Sequence, residues 1–134
     1  GRVLNIASLA GLVPASAGHT MYGATKAWLI RFSECLALEM KPKGVNVTAL
    51  CPGFTYSEFH DVNGMREKIS RLPKMLWLSS EDVARMGVDA VESGRTRVVT
   101  GIPNNVIASI CKYLPDALAQ ALVAGKSKDF RDAE

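Results

Sequence analysis

The run Val45-Asn46-Val47-Thr48-Ala49-Leu50 limits what this chain can fold into more than any other stretch. It is rich in β-branched residues and bounded by Gly44 and Pro52, so it reads as a buried β-strand. Two similar runs accompany it. Val3-Leu4-Asn5-Ile6-Ala7 is short and mostly apolar with a small-residue exit at Ser8, and Arg97-Val98-Val99-Thr100 lies near the other end. Helical patterns fall between and after them. The order strand–helix–strand–helix–strand–helix implies a parallel sheet flanked by helices, and hence an α/β fold.

The strongest helical pattern runs from Thr20 to Lys41, with Trp28, Leu29, Phe32, Leu36 and Met40 at spacings of three and four. Thr20 is the expected N-cap, and Pro42 and Gly44 end the helix. Trp28, Phe32 and Leu36 form a stripe that suits a core face or a subunit contact. Ser80-Glu81-Asp82 predicts a capped helix start with Val83, Met86, Gly87, Ala90 and Val91 on its apolar face, ended by Gly94. Asn104 or Asn105 is expected to cap a last helix carrying Val106, Ile107, Ile110 and Leu114. Pro115 interrupts it, Ala117 to Ala124 resumes it, and the charged tail from Lys126 is expected to fray. Ser57 to Leu78 gives mixed signals.

Size and charge narrow the class. The 134 residues are 48% hydrophobic and 22% charged, as in one globular domain. The net charge of +3 is scattered rather than gathered in one run, which argues against nucleic-acid binding. The 3 cysteines, Cys35, Cys51 and Cys111, are widely spaced and form no C-x-x-C pair, so buried free thiols in a reducing cytoplasm are expected. No apolar run is long enough to span a bilayer. No metal site is expected, because His60 and Asp61 lack further ligands around them. His19, in the loop ahead of Tyr22, is read as a bystander.

The chemistry-bearing residues converge. Tyr22 and Lys26 are four apart at the start of a helical pattern, one turn apart on one face. A phenol that can give or take a proton is thereby set beside a fixed positive charge, which favours its phenolate. In an open parallel sheet, ligands sit outside the carboxyl ends of the strands. Ser8 follows the first strand, Pro52-Gly53 follows the second, and the helix opening with Tyr22 starts near the same edge.

These residues resemble the short-chain dehydrogenases/reductases. Arg2 to Gly11 (RVLNIASLAG) is similar to the strand carrying that family's active-site serine, and Tyr22 to Ala27 (YGATKA) to its Y-x-x-x-K signature. Val45 to Phe59 resembles the strand and P-G turn that hold the nicotinamide. The resemblance implies the C-terminal half of a Rossmann-like, doubly wound parallel sheet of about three strands, with residues 1–134 forming part of a single dinucleotide-binding domain. It implies Ser8, Tyr22 and Lys26 as the catalytic residues. Tyr22 would be the acid/base and Ser8 would orient the substrate oxygen. Lys26 would favour the phenolate and bind the nicotinamide ribose. Tyr22, Lys26, Pro52, Gly53, Phe54, Thr55 and Ser57 are implied at the cofactor, NAD or NADP, with NADP somewhat favoured. The implied reaction is hydride transfer between an alcohol and a carbonyl. Leu12, Val13, Phe54, Phe59 and Trp77 suggest a small hydrophobic substrate, with residues 59–78 as a covering segment. A homodimer or homotetramer through helix 20–41 is implied as well.

The chain departs from the family pattern in two respects. These 134 residues lack the family's T-G-x-x-x-G-x-G turn for the pyrophosphate, its N-A-G motif and the helix asparagine of its proton relay. The adenosine side of the cofactor site is therefore missing, the Val3 strand is expected to present an apolar edge, and this piece alone is expected to be inactive. Ser8 and Tyr22 are 14 positions apart, one more than the family's commonest spacing. Two other readings compete. One is a catalytically silent fragment that pairs through the Trp28–Met40 helix. The other is a membrane-surface role for Val106 to Ala124, although membrane association is not expected from so short and weakly basic a helix.

Overall fold

In the computed structural model, residues 1–15, 17–56 and 73–131 are described, the last seven of them by their backbone alone. Three strands, β1 (Arg2–Ile6), β2 (Asn46–Cys51) and β5 (Arg97–Val99), form a parallel sheet in the order β1-β2-β5. This is the expected core of a doubly wound sheet. Two further strands were not expected. β3 (Phe54–Tyr56) and β4 (Trp77–Ser79) pair in parallel as a separate sheet of 2 strands, with Phe54 opposite Trp77. Each is 3 residues long, too short for periodicity to announce.

Helix α1 (Thr20–Met40) covers one face of the main sheet, and α2 (Ser80–Glu92) covers the other. Alternation along β2 explains this. Ala49 and Cys51 point to α1, where they join Ala7 and Ile30 in the core cluster, with Leu12, Leu29 and Val99 packed around it. Asn46, Thr48 and Leu50 point the other way: Asn46 Nδ2 donates to Val91 O (3.0 Å), and Leu50 packs on α2 at Gly87. A Cβ at Gly87 would lie 2.8 Å from Leu50 and 3.0 Å from Leu4, so the missing side chain lets α2 settle onto the sheet. α3 (Ile102–Tyr113) and α4 (Asp116–Arg131) follow β5.

The buried face of α1 differs from the expected stripe. Ile30, Ser33 and Ala37 face the sheet, whereas Trp28 (64% exposed) and Phe32 (43%) stack on each other outside it, centroids 5.1 Å apart. Ile30 fills the core there, while Ser33 and Ala37 are small and let the helix approach the sheet closely. Ser33 can be buried because its hydroxyl donates to Leu29 O (2.7 Å) and accepts from Asn5 Nδ2 (3.0 Å).

Several caps also shift. His19, not Thr20, precedes α1, and its side chain makes no capping bond there. Ser79 caps α2 by accepting from Asp82 N (3.1 Å). Gly101, at φ 82°, precedes α3. Asn104 and Asn105 do not cap it as acceptors. Their amides donate backwards to the carbonyls at the end of β5: Asn104 Nδ2 to Thr100 O (2.8 Å), and Asn105 Nδ2 to Val99 O (2.8 Å) and Gly101 O (2.9 Å). On α3, Val106 and Ile110 are exposed rather than packed. Cys35 is exposed too, so only Cys51 of the three thiols is fully buried.

Candidate active site

The rim at the carboxyl ends of β1 and β2 is tied together by backbone. Beyond β1 the chain turns through a short 3-10 segment, Leu9–Gly11, capped by Ser8, whose Oγ accepts from Ala10 N (3.1 Å). Ala7 N donates to Leu50 O (2.7 Å) and Leu9 N to Pro52 O (2.8 Å), locking the Ser8 loop to the Pro52-Gly53 turn. Gly11 seats this loop on α1, where a Cβ would come within 2.7 Å of the backbone at Lys26 and Ala27.

That contact brings the start of α1 to the same rim. Lys26 Nζ donates to Ile6 O (2.9 Å) at the end of β1 and stands 5.7 Å from the centroid of the Tyr22 ring. The carbonyl fixes the ammonium and leaves it further donors. Tyr22 remains 38% exposed, with its ring open to a ligand, and His19 lies 6.3 Å from it, ring to ring. Ser8 is nearly buried, but its hydroxyl uses only an acceptor position on Ala10 N, so the proton remains available to donate. Ser8, Tyr22, Lys26 and Pro52-Gly53 thus share one rim.

Past Gly53 the chain enters β3. Thr55 Oγ1 donates to Gly53 O (3.3 Å), and Trp77 of β4 lies between Phe54 (5.6 Å) and Tyr56 (4.7 Å, stacked). Trp77 is thus anchored in a strand pair, while residues 59–72 of the expected covering segment lie outside the described residues. Leu12, expected in the substrate lining, packs partly buried against the core cluster. Ser57, Phe59, His60 and Asp61 lie outside the described residues. Among the described residues no group of three or more metal-ligating side chains assembles, and no helix is long and apolar enough to cross a membrane.

The Cys51 thiol sits at the end of β2, one residue before Pro52. Burial pushes its pKa up from 9.0 to about 11; the Arg97 guanidinium works against that shift and Glu34 adds to it. The unfolded chain therefore loses this proton first as the pH rises. The stability carried by the neutral thiol is complete below pH 9.0 and is lost towards about pH 11. The expected loss is on the order of 2 kcal/mol. Urea unfolding at both ends of that window should show it as a slope shared by the wild type and absent from Cys51→Ala.

The sequence profile of the short chain dehydrogenase family matches residues 1–67, half of the chain. The chain belongs to the short-chain dehydrogenase family. The matched half carries every rim residue described above. Among curated proteins, 3-oxoacyl-[acyl-carrier-protein] reductase FabG of Rickettsia bellii is 36% identical over 104 residues, covering 75% of this chain and 42% of the relative. The Rossmann-like fold recurs in the short-chain dehydrogenase from Sphingobium yanoikuyae in complex with NADPH, at TM-score 0.66 and 22% identity, covering 86% of this chain and 46% of that one. A putative 2-deoxy-d-gluconate 3-dehydrogenase from Agrobacterium tumefaciens with bound NADP is 27% identical at TM-score 0.60, over 79% of this chain and 47% of that one. The chain spans less than half the length of these short-chain dehydrogenase relatives.

Asn104 and Thr100, outside the matched residues, also reach the Pro52-Gly53 turn, and the sequence does not announce them. An Asn near a helix start reads as a cap, and nothing in the spacing signals that its amide reaches back across the sheet edge.

Proposed function

We propose that this chain supplies the chemistry and nicotinamide side of an NAD(P)(H)-dependent oxidoreductase that interconverts an alcohol and a carbonyl. The observation that carries the reading is the rim itself. A partly exposed phenol stands beside an ammonium fixed on Ile6 O, with the Ser8 loop bonded to the Pro52-Gly53 turn. This donor set suits the nicotinamide-ribose end of the cofactor. Lys26 keeps donors for ribose hydroxyls, and Gly53, Phe54 and Thr55 bring backbone to the same edge, with Ser57 two positions further along the sequence. When bound, the cofactor supplies or accepts the hydride. Tyr22 gives a proton to the substrate oxygen in reduction and takes it back in oxidation. Ser8 donates a hydrogen bond to that oxygen as charge develops on it, and the Lys26 charge favours the phenolate.

The adenosine side would come from a preceding half. β1 is the edge of the sheet, with Ile6 52% exposed, and is where further parallel strands would pair. Residues 1–134 are then the C-terminal part of one domain and are inactive alone. NADP is the first cofactor to test, as it is bound in the Agrobacterium relative. A 3-oxoacyl or other hydrophobic carbonyl is the first substrate class, in keeping with the named activity of the Rickettsia relative. The exposed Trp28–Phe32 stack supports a homo-oligomer through α1, and it is also what favours a silent pairing module as the second reading.

One assay separates the two readings. The chain joined to a Gly-rich dinucleotide-binding half should oxidise NADPH in the presence of a panel of ketones and 3-oxoacyl thioesters. No turnover with any of them, together with a stable dimer of the chain alone, would leave the module reading standing instead.

A further inference from the structure

Two buried side-chain atoms among the described residues lack a hydrogen-bond partner, and they belong to neighbouring groups: Thr100 Oγ1 and Asn104 Oδ1. Asn104 is 2% exposed, and its carboxamide is clamped at the other atom, Nδ2 donating to Thr100 O (2.8 Å). Thr100 N in turn donates to Cys51 O (3.3 Å), immediately before the Pro52-Gly53 turn. The circuit closes at Gly53. A Cβ built there would lie 2.3 Å from Asn104 Nδ2, 2.5 Å from Cγ and 2.6 Å from Oδ1. The flat carboxamide therefore lies directly against the bare Cα of Gly53.

Core stability alone does not explain an asparagine here. A buried acceptor without a donor costs free energy, which offsets much of what the bond from Nδ2 to Thr100 O contributes. What asparagine adds is direction. The bond to Thr100 O fixes the plane of the carboxamide, and that plane limits how the Gly53 backbone can rotate. The turn is then held from two sides, by Leu9 N on Pro52 O and by the Thr100–Asn104 bracket on Cys51 and Gly53.

The geometry points to Asn104 as a positioning residue for the Pro52-Gly53 turn, acting through the Gly53 backbone on the start of β3. Its bearing on the cofactor rests on the function proposed above; its bearing on the turn does not. The deciding measurement is backbone amide exchange of Gly53 to Tyr56 in the 134-residue chain, with urea unfolding alongside. Asn104→Leu removes the donor to Thr100 O and should lower global stability, yet speed exchange at those amides by about tenfold or more beyond what that global loss accounts for. Unchanged exchange there would overturn the proposal.

A second pair of variants covers the event that the leucine variant does not fold. Gly53→Ala should be poorly tolerated beside Asn104 and much better tolerated in an Asn104→Ala background, where its methyl group enters the vacated space. Simple additivity of the two would also overturn the proposal. In the joined enzyme the same Asn104 variants should raise KM for NADPH more than they lower kcat. Faster exchange with an unaltered KM would uphold the positioning role while removing the turn from the cofactor site.

Discussion

Tyr22→Phe, in the enzyme made by joining this chain to a dinucleotide-binding half, is expected to lower kcat by roughly 10²–10⁴-fold. KM for NADPH should change less than kcat, because in the proposed mechanism the phenolic oxygen exchanges its proton with the reacting oxygen. Stability is expected to stay within about 0.5 kcal/mol of wild type, since Tyr22 is 38% exposed at the start of a long helix. A fall in rate without a fall in unfolding midpoint is therefore the signature. Steady-state kinetics and urea unfolding on one preparation give both numbers. A phenylalanine variant that keeps most of its activity would remove Tyr22 from the chemistry, leaving its place beside Lys26 a matter of packing.

Gly11→Ala is expected to produce the largest loss of stability from the smallest change. The new methyl group would lie 2.7 Å from Ala27 N and from the Lys26 carbonyl carbon, and 2.8 Å from Ile30 Cδ1. Two of these three contacts are helix backbone, which cannot swing aside as a side-chain tip can, so the loop and α1 must separate. Overpacking of this kind costs about 1–3 kcal/mol, and the upper end is expected because Ile30 is a core residue, 4% exposed. Separation also lengthens the path from Ser8 to Tyr22 and Lys26. In the joined enzyme the variant should lose activity even at temperatures where it remains folded. A shift of less than about 0.5 kcal/mol in urea unfolding would mean that the loop adjusts freely and does not hold the rim together.

The two substitutions bracket the site. One removes the proposed acid/base oxygen and spares the frame, and the other disturbs the frame and spares every proposed reacting group. Cys51→Ala probes a third property, the dryness of the β2 terminus on which the Pro52-Gly53 turn is mounted.

Much of this was readable before any coordinates. Val45 to Leu50 announces β2 because β-branching, burial and the flanking Gly44 and Pro52 all act within a few residues. The spacing of Tyr22 and Lys26 guarantees a shared helical face for the same reason: helix geometry is local, and four residues are one turn. That the main sheet is parallel follows from the alternation of strand and helix patterns.

What sequence spacing could not supply depends on contacts between distant residues. Trp28 and Phe32 outrank Ile30, Ser33 and Ala37 in apolar bulk, yet the latter three are buried, because the face that meets the sheet is set by the contacts of α1 with distant strands rather than by side-chain size. β3 and β4 exist only as each other's partners, and neither segment of 3 residues carries a period of its own. Lys26 is fixed by a carbonyl 20 positions away, and Asn104 lies on a glycine across the sheet edge from it. The chain thus specifies its strands, its helices and the Tyr22–Lys26 pair locally, whereas the rim that makes the pair useful forms only when β1, β2 and β5 end side by side.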